Sequence, residues 1–217
     1  MLYMIRLLCY GYAIMKVIPI KPEETYQWLL HKHYAKRIPQ IMYAFGLYQD
    51  MNLIGVVTYG IPASPALCMG VCGDEWASKV LELNRLCLEE NAKNQSSFLV
   101  ANSIKLLPKP SIIVSYADSA QGHVGYVYQA TNFLFTGTTK ERTDMGGRNG
   151  KHSRHSKDPS IRVFRSAKHR YIYFHGNKKE KKILNQALNY DVQPYPKGET
   201  KRYDSGSIVV KQQILFD

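Results

Sequence analysis

The order in which strand-like and helix-like periodicities alternate limits this chain more than any single residue does. Residues 12–20 (YAIMKVIPI) are β-rich and stop at Pro19. Lys21-Pro22-Glu23-Glu24 then opens a helix, with proline at its first position and two acids in its first turn. Tyr26, Leu29, Leu30, His33 and Tyr34 follow at i, i+3, i+4, i+7 and i+8, one apolar face that should end before Pro39. Two β-rich runs, 41–48 and 53–59, flank Gln49-Asp50-Met51-Asn52 and predict a hairpin. A Pro/Gly/Ser loop is expected over 60–73, and 79–90 alternates as a strand with one mixed face. SSFLVANSIKLL reads as a helix capped by Ser96 or Ser97 and closed before Pro108. SIIVSYAD (111–118) reads as a buried strand, 119–132 as a helix, and FLFTGTT as another strand. The order β, α, β, β, β, α, β, α, β predicts an α/β fold, a mixed and mostly antiparallel sheet with helices on both faces.

Charge narrows the class of partner. The chain has 29 lysines and arginines against 17 acids, a net +12. Such an excess points to a polyanion, because each neutralised phosphate releases counterions; a merely basic soluble enzyme is the alternative. The excess is uneven. Residues 140–170 carry ten lysines and arginines against three acids, a local +7. Gly146, Gly147 and Gly150 make the first half of that stretch flexible by expectation. RYIYFHG (170–176) returns to strand character, NKKEKKILNQAL to a short basic helix or turn, and the chain after Asn189 reads as extended.

Residues 1–14 form an N-terminal extension of uncertain status, interrupted by Arg6, ahead of a second methionine at Met15. The expected division is that extension, a domain over 15–189 including the basic stretch, and an extended tail over 190–217. Cys9, Cys68, Cys72 and Cys87 include no CxxC pair and sit mostly in apolar strings, so reduced thiols and a cytoplasmic location are expected. Cys68 and Cys72 have zinc-like spacing without a second Cys/His pair. No apolar run approaches the roughly 20 residues of a membrane span.

The run from 79 to 139 follows the core plan of the GNAT acyltransferases. Within it, VYQATNFLFTG (127–137) resembles the GNAT segment in which a helical tyrosine precedes a turn and a phenylalanine-led strand. That resemblance implies a GNAT-like fold and gives Tyr128 the role of general acid toward a leaving thiolate. Asn132-Phe133 stands where a Gly-Phe pair is usual, a mild departure because asparagine tolerates the left-handed conformation. HYAKRIP, ELNRLCLE, SYADSAQGHVGYVYQATNFLFTG and KHRYIYF together are similar to the Mom family of phage DNA-modification proteins, over most of 15–175. The resemblance implies acetyl-CoA as cosubstrate, adenine N6 in double-stranded DNA as acceptor, a methylcarbamoyl-type adduct and protection from restriction. It also departs from the GNAT pattern. The usual [QR]-x-x-G-x-[GA] pyrophosphate loop is replaced by residues 90–97 (ENAKNQSS), without glycine.

The candidate catalytic residues are His33, Tyr34, Asp118 and Tyr128. Asp118, at the carboxyl end of a buried strand, is a candidate base for an amine or a helix N-cap in competition with Ser119. His33 could act as base or metal ligand, iron included, and Tyr34 could stack on an extruded base. The alternative is that both complete the helix face begun at Tyr26. Tyr126 could exchange roles with Tyr128 if the register shifts, and His123 opens the same segment. Arg85, mid-strand among apolar residues, needs Glu82, Asp118 or a substrate as partner. Cofactor contacts are expected from Leu86, Cys87 and Leu88 through backbone amides, and from Asn94, Ser96 and Ser97 at the helix start. Nucleic-acid contacts are expected from Lys36, Arg37, Arg142, Arg148, Lys151, His152, Arg154, His155, Arg165, Lys168 and Arg170. The chain is compatible with a homodimer. A conventional GNAT acetyltransferase of protein or small-molecule amines, and a non-catalytic nucleic-acid binder on the same fold, remain rival readings.

Overall fold

The computed structural model describes residues 9–10, 13–90, 92–147, 157–198 and 214–216. In chain order the elements are β1 (Cys9–Tyr10), β2 (Ala13–Pro19), β3 (Tyr43–Gln49), β4 (Asn52–Gly60), α1 (Pro65–Cys72), β5 (Val80–Leu88), α2 (Gln95–Lys105) and β6 (Ser111–Asp118). They continue with α3 (Tyr126–Ala130), β7 (Leu134–Thr138), β8 (Arg142–Gly147), β9 (Lys157–Arg165), β10 (Lys168–His175), α4 (Lys178–Gln186) and β11 (Ile214–Phe216). Eight strands form one sheet in the order β1-β2-β3-β4-β5-β6-β10-β7, and β11-β9-β8 form a second. Every neighbouring pair is antiparallel except β5–β6.

Alternation along the central strands builds two cores. On β6, Ile113 and Ala117 face a cluster with Leu99, Val100 and Ile104 of α2 and Tyr128 of α3. Ile112 and Val114 face the opposite cluster, with Cys68 and Val71 of α1 and Leu184 of α4. Helices therefore cover both faces, and the fold class matches the expectation. Each fully buried leucine or isoleucine here contributes about 1.5–3 kcal/mol by leaving water.

Several local expectations fail for identifiable reasons. Residues 60–73 are not a loop throughout: Ser64 Oγ accepts from the Leu67 N–H at 3.3 Å, Pro65 follows, and α1 runs to Cys72. The first helix is not one regular cylinder reaching Pro39. It is a 3-10 turn (Pro22–Thr25) and a π-helical turn (Trp28–Lys32), and it ends at His33, whose ψ is 135°. The wider turn re-phases the face, burying Trp28 and Leu29 while Leu30 turns outward. In α2 the cap is Asn94, in the left-handed region at φ 66°, rather than Ser96 or Ser97. The expected helix over 119–132 is broken by Gly122 (φ 66°) and Gly125 (φ 82°), leaving a 3-10 turn and the short α3. A Cβ at Gly125 would lie 2.4 Å from the Tyr171 ring, so close packing demands glycine there. Asn132 does adopt the left-handed conformation, at φ 61°. Much of the basic stretch is not a flexible loop, because β8 and β9 pair over Arg142–Arg165 through Gly147–Lys157. After Asn189, residues 191–198 run without regular structure along β7, where the Gln193 N–H donates to the Phe135 carbonyl at 2.9 Å.

One irregularity positions everything that follows. β5 and β6 pair only from Val80–Ile112 to Glu82–Val114, and then part. Ser115 Oγ spans the start of the opening, donating to the Leu83 carbonyl at 3.0 Å. On its other side β5 stays paired to β4, with a register shift between Thr58–Arg85 and Tyr59–Leu83 that leaves Asn84 as the extra residue. This bulge is pinned: Thr58 Oγ1 donates to Asn84 Oδ1 at 2.6 Å, and Asn84 Nδ2 donates to the Gln40 carbonyl at 3.0 Å.

Candidate functional site

The bulge decides which side chains of β5 face the opening. Leu81 and Leu83 point into the α2 core, and after Asn84 so do Leu86 and Leu88. The inward set therefore skips two residues, Asn84 and Arg85, between 83 and 86, which puts Glu82 and Arg85 on one face. Arg85 is anchored by one donor, Nη1, on the Asn84 carbonyl at 2.5 Å. Its Nε and Nη2 are buried without a hydrogen-bond partner, each at a cost of about 1–3 kcal/mol. Burial pulls the Arg85 pKa down, and Arg37 adds to that, while Tyr34 and Glu82 oppose it. Burial pushes the Glu82 carboxyl up against the pull of Arg85, Lys168 and Arg37.

His33 and Tyr34 stand at the same place, brought there by the early end of the π-helical turn. Their rings stack at 4.5 Å, and Tyr34 meets His123 edge-on at 5.9 Å. His33 is buried, and burial, with the positive Arg85 and with His123, lowers its pKa to about 3. The ring is therefore neutral near pH 7. Its Nδ1 accepts the Ala35 N–H at 3.0 Å, so the proton of the neutral ring sits on Nε2. A base or a metal ligand needs a lone pair that neither nitrogen then offers. The expected roles of His33 as base or metal ligand do not fit this geometry; a donor role through Nε2–H does. Among the described residues no group of three or more His, Cys, Asp or Glu is arranged to hold a metal, and Cys68, Cys72 and Cys87 are unpaired buried thiols.

Asp118 is committed elsewhere. Its Oδ1 accepts from Ser166 Oγ at 2.5 Å and from the Ala120 N–H at 3.1 Å, and Oδ2 accepts from Lys168 Nζ at 2.6 Å. Burial alone would raise its pKa, but these donors hold it below the usual carboxylate value. Asp118 caps the 3-10 turn and anchors β10, so a base role does not suit it. Its charge still reaches the site: burial raises the Tyr34 pKa and Asp118 adds to that, while burial lowers the His123 pKa and Asp118 opposes it.

Tyr128 is the third residue of α3, after the Gly125 cap, and is buried against Phe133 and Tyr171, at ring distances of 5.4 and 5.3 Å. Its hydroxyl engages Ser115, the residue bridging the opening, and feels Tyr34 and Glu82. Burial pushes its pKa well above that of a free phenol, so it is protonated at neutral pH. Tyr126 points away, donating to the Gly198 carbonyl.

The other expected contacts divide. Leu86, Cys87 and Leu88 line β5 beyond the splay, with Cys87 and Leu88 buried. At α2, Ser97 Oγ donates to the Asn94 carbonyl and the Ala92 N–H donates to Gln95 Oε1, so this turn is partly closed on itself. Beside it lies a cavity of about 250 Å³ lined by Asp50, Glu89, Glu90 and Gln95, an acidic surround for a pyrophosphate. Lys36 and Arg37 are exposed next to Tyr34. Lys168 is spent on Asp118, and Arg170 on Thr136, with its guanidinium 3.5 Å from the Tyr190 ring centre, so neither matches a free phosphate-binding cation. Arg142 and Arg165 share Asp144 on the second sheet. Arg148, Lys151, His152, Arg154 and His155 lie outside the described residues. Sequence reasoning left Glu82 a mere partner for Arg85. A glutamate and an arginine three apart in an otherwise apolar strand were the available signal for a bulge.

Comparison with known proteins bears on these residues together. The chain is 30% identical over 188 residues to the methylcarbamoylase mom of Escherichia phage Mu, covering 76% of this chain and 77% of that one. Among solved structures it is similar to an N-acetyltransferase from Staphylococcus aureus Mu50 (TM-score 0.44, 14% identity, 74% of this chain and 98% of that one). It is also similar to a Bacillus subtilis acetyltransferase in complex with CoA (TM-score 0.45, 13% identity, 75% and 98%). The model of the Mom protein family matches residues 14–197, which span the splayed strands, the His33–Tyr34 stack and Tyr128 alike, and the chain belongs to that family.

Proposed function

We propose that this protein modifies the N6 amine of adenine in double-stranded DNA with a methylcarbamoyl- or acyl-type group, shielding phage DNA from restriction. The observation that carries the reading is a juxtaposition. The His33–Tyr34 stack, beside the exposed Lys36 and Arg37, opens onto the gap between β5 and β6, where a protonated Tyr128 lies against Ser115. An extruded base needs an aromatic platform and cations for its flanking phosphates, and extrusion costs only a few kcal/mol. The N6 lone pair is delocalised into the ring, so the site must hold the amine close to an activated carbon.

An acyl-CoA fits the gap at its pantetheine end, where β5 lacks a partner strand; at its pyrophosphate end the glycine-free, acid-flanked start of α2 is a poorer cradle. When bound it would supply a thioester. Tyr128 holds a proton at its phenol oxygen, where a departing thiolate could take it. Tyr34 orients the base, and Asp118 acts through Lys168 and Ser166 by fixing the end of β6 against β10. The test is mass spectrometry of nucleosides from the DNA of cells expressing the protein. A new deoxyadenosine adduct, absent with Tyr128→Phe, is expected. Unmodified deoxyadenosine despite good expression overturns the proposal.

The closed turn at Asn94–Ser97 favours one rival, a non-catalytic nucleic-acid binder. Acetyl-CoA separates the two: a rise in melting temperature at saturating ligand supports the enzyme, and no shift supports the binder.

A further inference from the structure

We propose that Glu82 and Arg85 form a carboxamide subsite, in which Arg85 Nε–H and Nη2–H hold a carbonyl oxygen and the Glu82 carboxylate accepts the amide N–H. This rests on the proposed function and specifies which part of the transferred group the site recognises.

Four observations lead there. The Asn84 bulge turns Glu82 and Arg85 to one face, at the point where β5 leaves β6. Each feels the other's charge, yet no ion pair closes between them. The one donor that Arg85 does use goes to its neighbour's carbonyl and fixes the guanidinium plane. Its two unpartnered nitrogens, Nε and Nη2, share one edge of that plane, a fork shaped for oxygen.

A buried fork of donors beside a buried acceptor is costly while empty, and it selects for a ligand carrying both complements. An amide carries both: an oxygen with two lone pairs and, on the same plane, an N–H. A carboxylate satisfies Arg85 but is repelled by Glu82. An ammonium satisfies Glu82 but is repelled by Arg85. A plain acetyl offers Arg85 its carbonyl oxygen but carries a methyl where the amide carries N–H, so it leaves Glu82 without a donor. A methylcarbamoyl-type group contains the amide in either order of attachment, so this pair would discriminate it from acetyl.

The test measures binding rather than turnover, so that a part in proton transfer cannot imitate it. Fluorescence anisotropy compares three otherwise identical duplexes bearing one adenine, one N6-carbamoylmethyladenine or one N6-carboxymethyladenine; the last two differ only by NH2 for O−. The wild-type protein should bind the amide duplex about tenfold or more tighter than the carboxylate duplex, as expected for hydrogen bonds to charged groups. Glu82→Gln, which keeps the shape and can donate to a carboxylate, should bring that ratio within about threefold. Arg85→Met should weaken the amide duplex by about tenfold while leaving unmodified adenine near wild type. Ratios within one preparation do not depend on its folded fraction. Equal binding of amide and carboxylate by the wild type, or a ratio that survives Glu82→Gln, overturns the subsite alone. Failure to bind any of the three duplexes overturns the DNA reading and the subsite with it.

Discussion

His33 and Asp118 occupy the same neighbourhood, and each has a folded pKa below its ordinary value, His33 through burial and Asp118 through donors that outweigh its burial. The folded pKa of His33 is about 3 against an ordinary value of 6.5, so between those limits the folded state binds fewer protons than the unfolded one. The stability that depends on neutral His33 is complete above about pH 6.5 and is lost as pH falls below it. By pH 5 the loss should reach about 1–2 kcal/mol, and His33→Asn, whose Oδ1 can still accept the Ala35 N–H, should flatten that slope in urea titrations. Asp118, held low by Lys168 and Ser166, contributes in a separate window: its stabilisation is present above about pH 4 and is lost below it. Asp118→Asn should therefore cost about 1–3 kcal/mol at pH 7 and leave the slope between pH 5 and 6.5 unchanged. A single acid-side slope that neither substitution alters would contradict both assignments. At this scale the sequence was readable only in part. The alternatives for Asp118 were visible from its place after SIIVSYA, and the structure selects the N-cap. Nothing in the His33-Tyr34 pair reveals that a backbone amide two residues on fixes the tautomer of His33.

Element types were legible where a β-rich run was unbroken, as in β3, β4 and β6, and the facing of side chains failed where one residue changed the phase. Plain alternation along ELNRLCLE assigns Glu82, Asn84 and Leu86 to one side, whereas the bulge returns Leu86 to the core and brings Arg85 round to Glu82. Likewise the helix expected after Ser119 meets two left-handed glycines, and the loop expected near Pro65 hides a Ser-Pro helix start. Deleting Asn84 should close the bulge and restore strict alternation with Leu83, Leu86 and Leu88 still inward and Arg85 still outward, at the cost of the hydrogen bonds that Asn84 makes to Thr58 and Gln40. The expected result is cooperative unfolding at a stability lowered by about 1–3 kcal/mol; loss of cooperative unfolding with binding of a hydrophobic dye would show that Asn84 is not the residue that changes the phase. Gly125→Ala tests the other phase change. At φ 82° and 2.4 Å from Tyr171, the added methyl should cost about 1–3 kcal/mol in denaturant melts. Because Tyr171 backs Tyr128, adduct formation should fall more than stability alone predicts.

Net charge is a property of the whole chain, but only cations without an internal partner can exchange counterions for phosphates. From the sequence, Arg142, Arg148, Lys151, Arg154, Arg165, Lys168 and Arg170 of the basic stretch are all expected on a nucleic-acid surface. The folded molecule removes some of them: Lys168 serves Asp118, Arg170 serves Thr136 and Tyr190, and Arg142 and Arg165 share Asp144. Lys36 and Arg37 remain exposed beside the His33–Tyr34 stack, held there by the chain reversal after His33. These two classes should separate in the salt dependence of DNA binding. Each phosphate contact contributes about 0.9 to the slope of log K against log salt, so Lys36→Ala with Arg37→Ala should lower the slope by about 1.8. The melting temperature should hardly move, since neither side chain is buried. Lys168→Ala should do the reverse, keeping the slope and destabilising the protein by about 1–3 kcal/mol, because it leaves the Asp118 carboxylate buried with one partner fewer. If Lys168→Ala lowers the slope as much as the exposed pair does, the ion pair opens on DNA, and the phosphate surface extends from the Tyr34 platform to the end of β6.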